Sequence, residues 1–208
     1  RLDSLKGARG LIVDLRENEG GNDCGNLLLA RLAGKDIMPP RVERLVRYRQ
    51  VPAALNRYLD TWDDSFRNWG EAAEPWSDQF FRLTRYDDIG TIAAKGPQVR
   101  VPMAVLTSPQ NSSATYQFAS LVRSTGLGTL IGETTGGNRR GINGGAFFFA
   151  RLPESGLEFD LPLIGYYPHA REPDAGVRPD IAVRNSAADI AAGYDRVLDV
   201  ARKKLLNA

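Results

Sequence analysis

Two short apolar runs, Leu11-Ile12-Val13-Asp14-Leu15 and Val101 to Thr107, narrow the possible folds more than any other feature of this chain. Neither shows the strict alternation of a strand with one wet face, so both read as strands inside a sheet covered on both sides. Each is followed by turn residues and then by a helical pattern. After Gly20-Gly21 come Leu27, Leu28, Leu29 and Leu32, stopping near Gly34, and Asn22 or Asp23 is expected to cap this helix. After Ser108-Pro109-Gln110-Asn111 come Ala114, Phe118, Leu121 and Val122. Leu127 to Ile131 reads as another strand, leading into a glycine-rich turn from Gly132 to Gly145. Ala146 to Leu152 and Leu157 to Ile164 read as a hairpin closed by Pro153-Glu154-Ser155-Gly156. Ser186-Ala187-Ala188-Asp189 has the form of a capping box opening a helix that reaches about Leu206. Strands alternating with helices make the chain α/β.

Residues 36–98 break the pattern. They hold all three tryptophans, Trp62, Trp69 and Trp76, and much of the charge, with weak periodicity. Arg41 to Arg49 reads as extended and Pro52 to Asp60 as helical, while Phe80 to Thr91 fits neither pattern. This stretch is expected to be a mostly helical insertion between the two parts of a core, residues 1–35 and 99–208, packed on that core through its aromatics. A lid or groove wall is the sharper alternative. Because Arg1 stands so close to the first strand, the N-terminal part of the core is expected to be missing.

A chain of 208 residues, 42% hydrophobic and 25% charged, can bury a substantial core. Its net charge is only +2, and its runs of adjacent basic residues are limited to Arg139-Arg140 and Arg202-Lys203-Lys204, which argues against nucleic acid as a partner. No run approaches the roughly 18 apolar residues of a membrane span. Cys24 is the single cysteine, so no internal disulfide can form. No His/Cys/Asp cluster has metal-ligand spacing, and the glycines of 132–145 form neither a P-loop nor a dinucleotide fingerprint. No metal and no cofactor is expected.

The segment Val105-Leu106-Thr107-Ser108-Pro109-Gln110-Asn111-Ser112-Ser113-Ala114-Thr115 places small hydroxyl residues between a buried strand and a helix start. Backbone N–H groups of a first helical turn lack partners within the helix, and the dipole there favours negative charge. An oxyanion formed beside Ser113 could therefore be held by the N–H of Ala114. Paired serines at a helix start equally suit an N-cap, and this segment alone leaves both readings open.

Three further segments bear on the choice. They are Asp14-Leu15-Arg16-Glu17-Asn18-Glu19-Gly20-Gly21, Ile131-Gly132-Glu133-Thr134-Thr135-Gly136-Gly137-Asn138 and Gly176-Val177-Arg178-Pro179-Asp180-Ile181-Ala182-Val183. With Ser113-Ala114 between the first two, this order resembles peptidase family S41, the tail-specific or C-terminal processing proteases. The resemblance implies a ClpP/crotonase-like β-α core and peptide-bond hydrolysis through an acyl-enzyme. It makes Ser113 the nucleophile, with the adjacent Ser112 as alternative. It also assigns the oxyanion hole to the N–H of Ala114 and one from the Gly20-Gly21 turn.

One branch of the family carries a lysine base in the turn after Gly-Glu-x-Thr. Here that turn reads Gly136-Gly137-Asn138-Arg139-Arg140, and arginine cannot serve as a base. The chain is more similar to the tricorn-core-like branch, whose histidine precedes the Asp-Leu-Arg motif and would lie upstream of Arg1. A piece without it would be inactive. Glu172 is the candidate for that branch's late acidic residue, or else an ordinary surface carboxylate. His169, the single histidine, could act as a base if the fold brought it to Ser113, and is otherwise a surface residue. Arg139 and Arg140 could grip a substrate carboxylate, or form a solvated turn. Asp14 and Glu133 are expected to bond turn backbone. The resemblance further implies a peptide or protein C-terminus as substrate and a periplasmic or other extracytoplasmic location. The alternatives are a non-catalytic ligand- or peptide-binding protein on the same scaffold, or a hydrolase acting on another acyl group.

Overall fold

The computed structural model describes Leu5 and residues 7–84, 90–96 and 98–207. Along the chain the elements are β1 (Leu11–Asp14), α1 (Gly25–Leu32), β2 (Val42–Val46), β3 (Leu59–Asp60), β4 (Ala73–Pro75), β5 (Phe81–Leu83) and β6 (Met103–Thr107). There follow α2 (Ser113–Thr125), β7 (Thr129–Gly132), β8 (Ile142–Arg151), β9 (Glu158–Pro168), β10 (Ile181–Ala182), α3 (Ala187–Ala191) and α4 (Arg196–Leu206). Contacts divide these into two units, one of residues 1–39, 90–139 and 174–208, the other of residues 40–89 and 140–173. The mixed α/β class expected from the sequence holds.

The first unit is built on a parallel sheet of order β1-β6-β7-β10. β6 is central and all five of its side chains are buried, as its unbroken apolar run requires. Ala104 and Leu106 face α4, meeting Val197, Ala201 and Leu205, and Ile131 of β7 joins them. Alternation along the strand sends Val105 to the other face, and it too is fully buried. Each such aliphatic side chain contributes about 1.5–3 kcal/mol on burial. α2 crosses from β6 to β7 and stops at Gly126, whose φ of +66° lets its N–H reach the carbonyl of Val122.

Three local expectations need correction. α1 is not capped by Asn22 or Asp23: its N-cap is Cys24, and the Asn22 side chain instead accepts from the Cys24 N–H at 3.1 Å. The capping box of Ser186 and Asp189 is present, but the helix it opens ends at Ala191. Gly193, at φ +64°, turns the chain out, and Asp195 caps a separate α4 by accepting from Leu198 N–H at 3.1 Å. The insertion is not mostly helical either. Among its described residues it has no α-helix, only three short 3-10 segments, Ala53–Tyr58, Asp64–Arg67 and Gly70–Ala72, alongside β2 to β5. Part of the ambiguous Phe80 to Thr91 stretch is β5, and residues 85–89 lie outside the described residues.

Those strands form the second unit's antiparallel sheet with the hairpin, in the order β3-β8-β9-β2-β5-β4. The insertion's aromatics pack on the hairpin, which belongs to the same second unit. Phe66 and Trp69 share a core with Val46, Leu83, Ala146, Phe148 and Ile164, whereas Trp62 and Trp76 are exposed.

Candidate active site

Beyond the end of β6 the chain makes a tight turn before α2. Ser108 N–H donates to Asn111 Oδ1 at 2.8 Å, and Asn111 N–H donates to the Ser108 carbonyl at 3.1 Å. Ser112 is extended at φ −129°, and Ser113, on which α2 begins, has φ +47°. A non-glycine residue held in the left-handed region is disfavoured by about 1–2 kcal/mol. Ser113 is also exposed. An exposed serine under backbone strain, between a buried strand and a helix N-terminus, has the form of a nucleophile elbow.

Gly20 lies directly against it. A Cβ on Gly20 would fall 2.7 Å from the Ser113 Cβ and 3.2 Å from the Ala114 nitrogen. Gly20 and Gly21 have φ of +128° and +124°, and nothing would crowd a Cβ on Gly21 within 4 Å. Gly20 N–H is taken by Asn18 Oδ1 at 2.9 Å. Among the described residues no acceptor takes the N–H of Gly21 or of Ala114. Of the two glycines the sequence offers as oxyanion donors, Gly21 is therefore the better fitted.

The hydroxyls do not cap α2. Ser112 makes no cap bond, and its Oγ donates instead to the Glu19 carbonyl at 2.6 Å. Its proton is thus committed to the glycine turn, whereas Ser113 is exposed.

The sequence motifs converge here for identifiable reasons. Asp14 accepts from the Arg16 N–H at 3.1 Å, the turn-backbone role expected of it, and from Arg16 Nε at 2.9 Å. Arg16 also donates to both oxygens of Asp195, at 2.9 and 2.8 Å, tying the first turn to the start of α4. These bonds raise the pKa of Arg16 and bring that of Asp195 down to about 2. Glu133 is exposed, and its backbone pairs with Thr107: Glu133 N–H donates to the Thr107 carbonyl, and Thr107 Oγ1 donates to the Glu133 carbonyl. Buried Thr135 takes the Val177 N–H on its hydroxyl at 2.9 Å, joining the Gly-Glu-x-Thr and Gly-Val-x-Pro-Asp segments. A Cβ on Gly136 would meet the Pro109 carbonyl oxygen at 1.9 Å, so only glycine lets this turn lie on the serine loop.

Ser112, Ser113, Ala114, Gly20 and Gly21 are thus assembled at one place in the first unit. Arg139 belongs to the same unit, its N–H bonded to the Ala175 carbonyl at 2.9 Å. Arg140, Glu172 and His169 belong to the second, where exposed His169 places Nε2 3.5 Å from Glu43 Oε1. Cys24 is exposed, and among the described residues no group of three or more His, Cys, Asp or Glu side chains could hold a metal ion. No helix among them is long and apolar enough to cross a membrane. Two participants escaped the sequence reading. Asp195 has no local signal, standing 179 positions from Arg16, and Asn111 looked like an ordinary turn residue.

The family model described as Peptidase family S41 matches residues 1–183. The chain belongs to peptidase family S41. This is a family of serine peptidases. Among solved structures the chain is similar to a candidate peptidase from Parabacteroides merdae, with 19% identity and a TM-score of 0.61 over 98% of this chain and 54% of that one. It is similar also to mature CPAF, at 18% identity and a TM-score of 0.61, and to mature CPAF complexed with lactacystin, at 19% and 0.60. Both comparisons with CPAF cover 99% of this chain and 46% of the other. The S41 chain described here thus spans about half the length of these structures, and at such identities the likeness establishes a shared fold. No curated protein matches it in sequence.

Proposed function

We propose that this S41 chain carries the nucleophile and oxyanion hole of a serine peptidase that hydrolyses peptide bonds through an acyl-enzyme on Ser113. The observation that supports this most is Ser113 itself: exposed, at φ +47°, on the first residue of α2 and against Gly20-Gly21. In this reading Ser113 Oγ attacks the scissile carbonyl carbon and its proton passes to a base. The carbonyl oxygen becomes an oxyanion held by the N–H groups of Ala114 and Gly21, a site where one donor is worth about 10²–10³ in rate. Collapse expels the amine, which takes up the proton, and water then hydrolyses the ester by the same route.

The proposed base is a histidine outside these 208 residues, as in the tricorn-like branch, with Glu172 as its acidic partner. Arg139 and Arg140 would take the carboxylate of a peptide or protein C-terminus. An extracytoplasmic location belongs to the same family reading.

Labelling of the full-length protein, which carries the proposed histidine, by a fluorophosphonate, followed by peptide mapping, tests the nucleophile. Modification at Ser113 that is absent from Ser113→Ala is the expected result. A folded protein that takes no label at Ser113 would be a binding protein on a peptidase scaffold, and the proposal would fall.

A further inference from the structure

Asn111 is fully buried, the one polar residue besides Thr107 among the largest fully buried side chains. A buried amide of this kind is retained only if its hydrogen-bonding groups are matched, and here each match goes to a different segment of the site. Its Nδ2 donates to the Leu15 carbonyl and, at 3.1 Å, to the Asn18 carbonyl. Its Oδ1 accepts from Ser108 N–H at 2.8 Å, closing the turn that precedes the serines. Its backbone carbonyl accepts from Gly136 N–H at 2.9 Å and Gly137 N–H at 3.0 Å.

One residue therefore joins the Asp-Leu-Arg-x-Asn-x-Gly-Gly turn, the serine loop and the second glycine turn. Thr115 reaches the same place: its hydroxyl lies 2.9 Å from the Asn18 carbonyl and 2.8 Å from the Ser112 carbonyl, and its single proton is shared between the two. The carbonyls of Leu15 and Asn18 flank the strand end and the residue whose side chain fixes Gly20 N–H. Shifting them moves Gly20-Gly21 relative to Ser113.

We infer that Asn111 is the positioning residue of this site: through its side-chain amide it sets the distance between the oxyanion-hole turn at Gly20-Gly21 and the nucleophile Ser113. It touches no reacting atom. The inference rests on the proposed role of Ser113. An asparagine suits the position because it supplies two donors and one acceptor in a plane, whereas aspartate would set a carboxylate against two carbonyl oxygens. A displacement of about 1 Å in such a constellation lowers reactivity about a hundredfold.

The test is saturation kinetics of fluorophosphonate labelling on the full-length protein, which carries the proposed histidine, comparing wild type with Asn111→Asp and with Leu130→Ala. Leu130→Ala is a core variant on β7, away from the site, that controls for lost stability. Asn111→Asp is expected to lower the maximal labelling rate about a hundredfold while the probe's saturation constant stays unchanged. Leu130→Ala should lower the melting temperature but keep the rate in the folded protein. An Asn111→Asp protein that is folded and labels at the wild-type rate overturns the inference while leaving Ser113 as nucleophile. Wild type that takes no label at Ser113 overturns the reading beneath it, and this inference with it. Should Asn111→Asp not fold, Thr115→Val carries the test, with an expected fall of about tenfold. An unchanged rate in folded Thr115→Val then counts against positioning through the Asn18 carbonyl.

Discussion

Gly20 and Ser113, far apart in sequence, are packed so closely that a methyl group on the glycine would sit 2.7 Å from the serine Cβ. No real pair of side chains tolerates that spacing, so the turn and the serine loop define each other's position. Gly20→Ala adds this clash to a φ of +128°, a region essentially confined to glycine. It is expected to lower stability by about 2 kcal/mol or more and to abolish fluorophosphonate labelling. Urea unfolding and a labelling assay on the folded fraction check the two effects separately.

Ser113 stores strain that its substitution should release. Ser113→Gly removes the side chain at φ +47° and is expected to stabilise the protein by about 0.5–1 kcal/mol, while labelling is lost. Ser113→Ala loses labelling too but keeps the strain, so its stability should stay near wild type. A gain confined to the glycine variant, read from denaturation midpoints, would mark the trade of stability for activity that functional sites show. Equal stability in all three proteins would contradict it.

Acid should weaken the first unit at a defined point. Asp189 is held well below the usual carboxylate range by Arg196 and by Ser186, and Asp195 is held at about 2, chiefly by Arg16, against an ordinary value of 3.8. Both carboxylates ionise more readily folded than unfolded. Their contribution is therefore nearly complete above about pH 4.5 and fades as the pH falls through 3.8 toward 2. The denaturation midpoint is expected to be flat from pH 7 to about 4.5 and to drop below that. Asp195→Asn should flatten part of the drop, and a profile identical to wild type would remove Asp195 as a cause.

Two glycines of the chain's second glycine-rich stretch should answer very differently to alanine. Gly136→Ala drives a methyl into the Pro109 carbonyl oxygen, whereas Gly144 has nothing within 4 Å of a Cβ. Gly136→Ala is expected to destabilise by about 3 kcal/mol and Gly144→Ala by less than about 0.5. Thermal melts of the pair test whether glycine at 136 serves close approach rather than flexibility.

The elements whose character is set by nearest neighbours could be read in advance. The apolar runs at β1, β6 and β7, the helix of Ala114 and Phe118, and the Ser186 capping box all carry their signal within a few residues. The single helix expected to reach Leu206 failed because Gly193 and Asp195 act as stop and start, a weaker cue than the periodicity around them. The insertion misled for another reason: β2 to β5 are two to five residues long and exist by pairing with the hairpin and one another. Propensity within such short stretches says little. At the site, Ser113, Ala114 and the Gly20-Gly21 pair stood out by type and order. Which glycine N–H is unengaged, and why Ser112 differs from its neighbour, depend on bonds to Asn18 and Glu19 that no local pattern announces.

The clamp of Arg16 on Asp195 also orders events during synthesis. Ser113 and its glycine turn leave the ribosome well before the residue that anchors that turn to α4. A nascent chain that has not reached Asp195 carries Ser113 and its glycine turn without the ion pair that ties the Arg16 turn to α4.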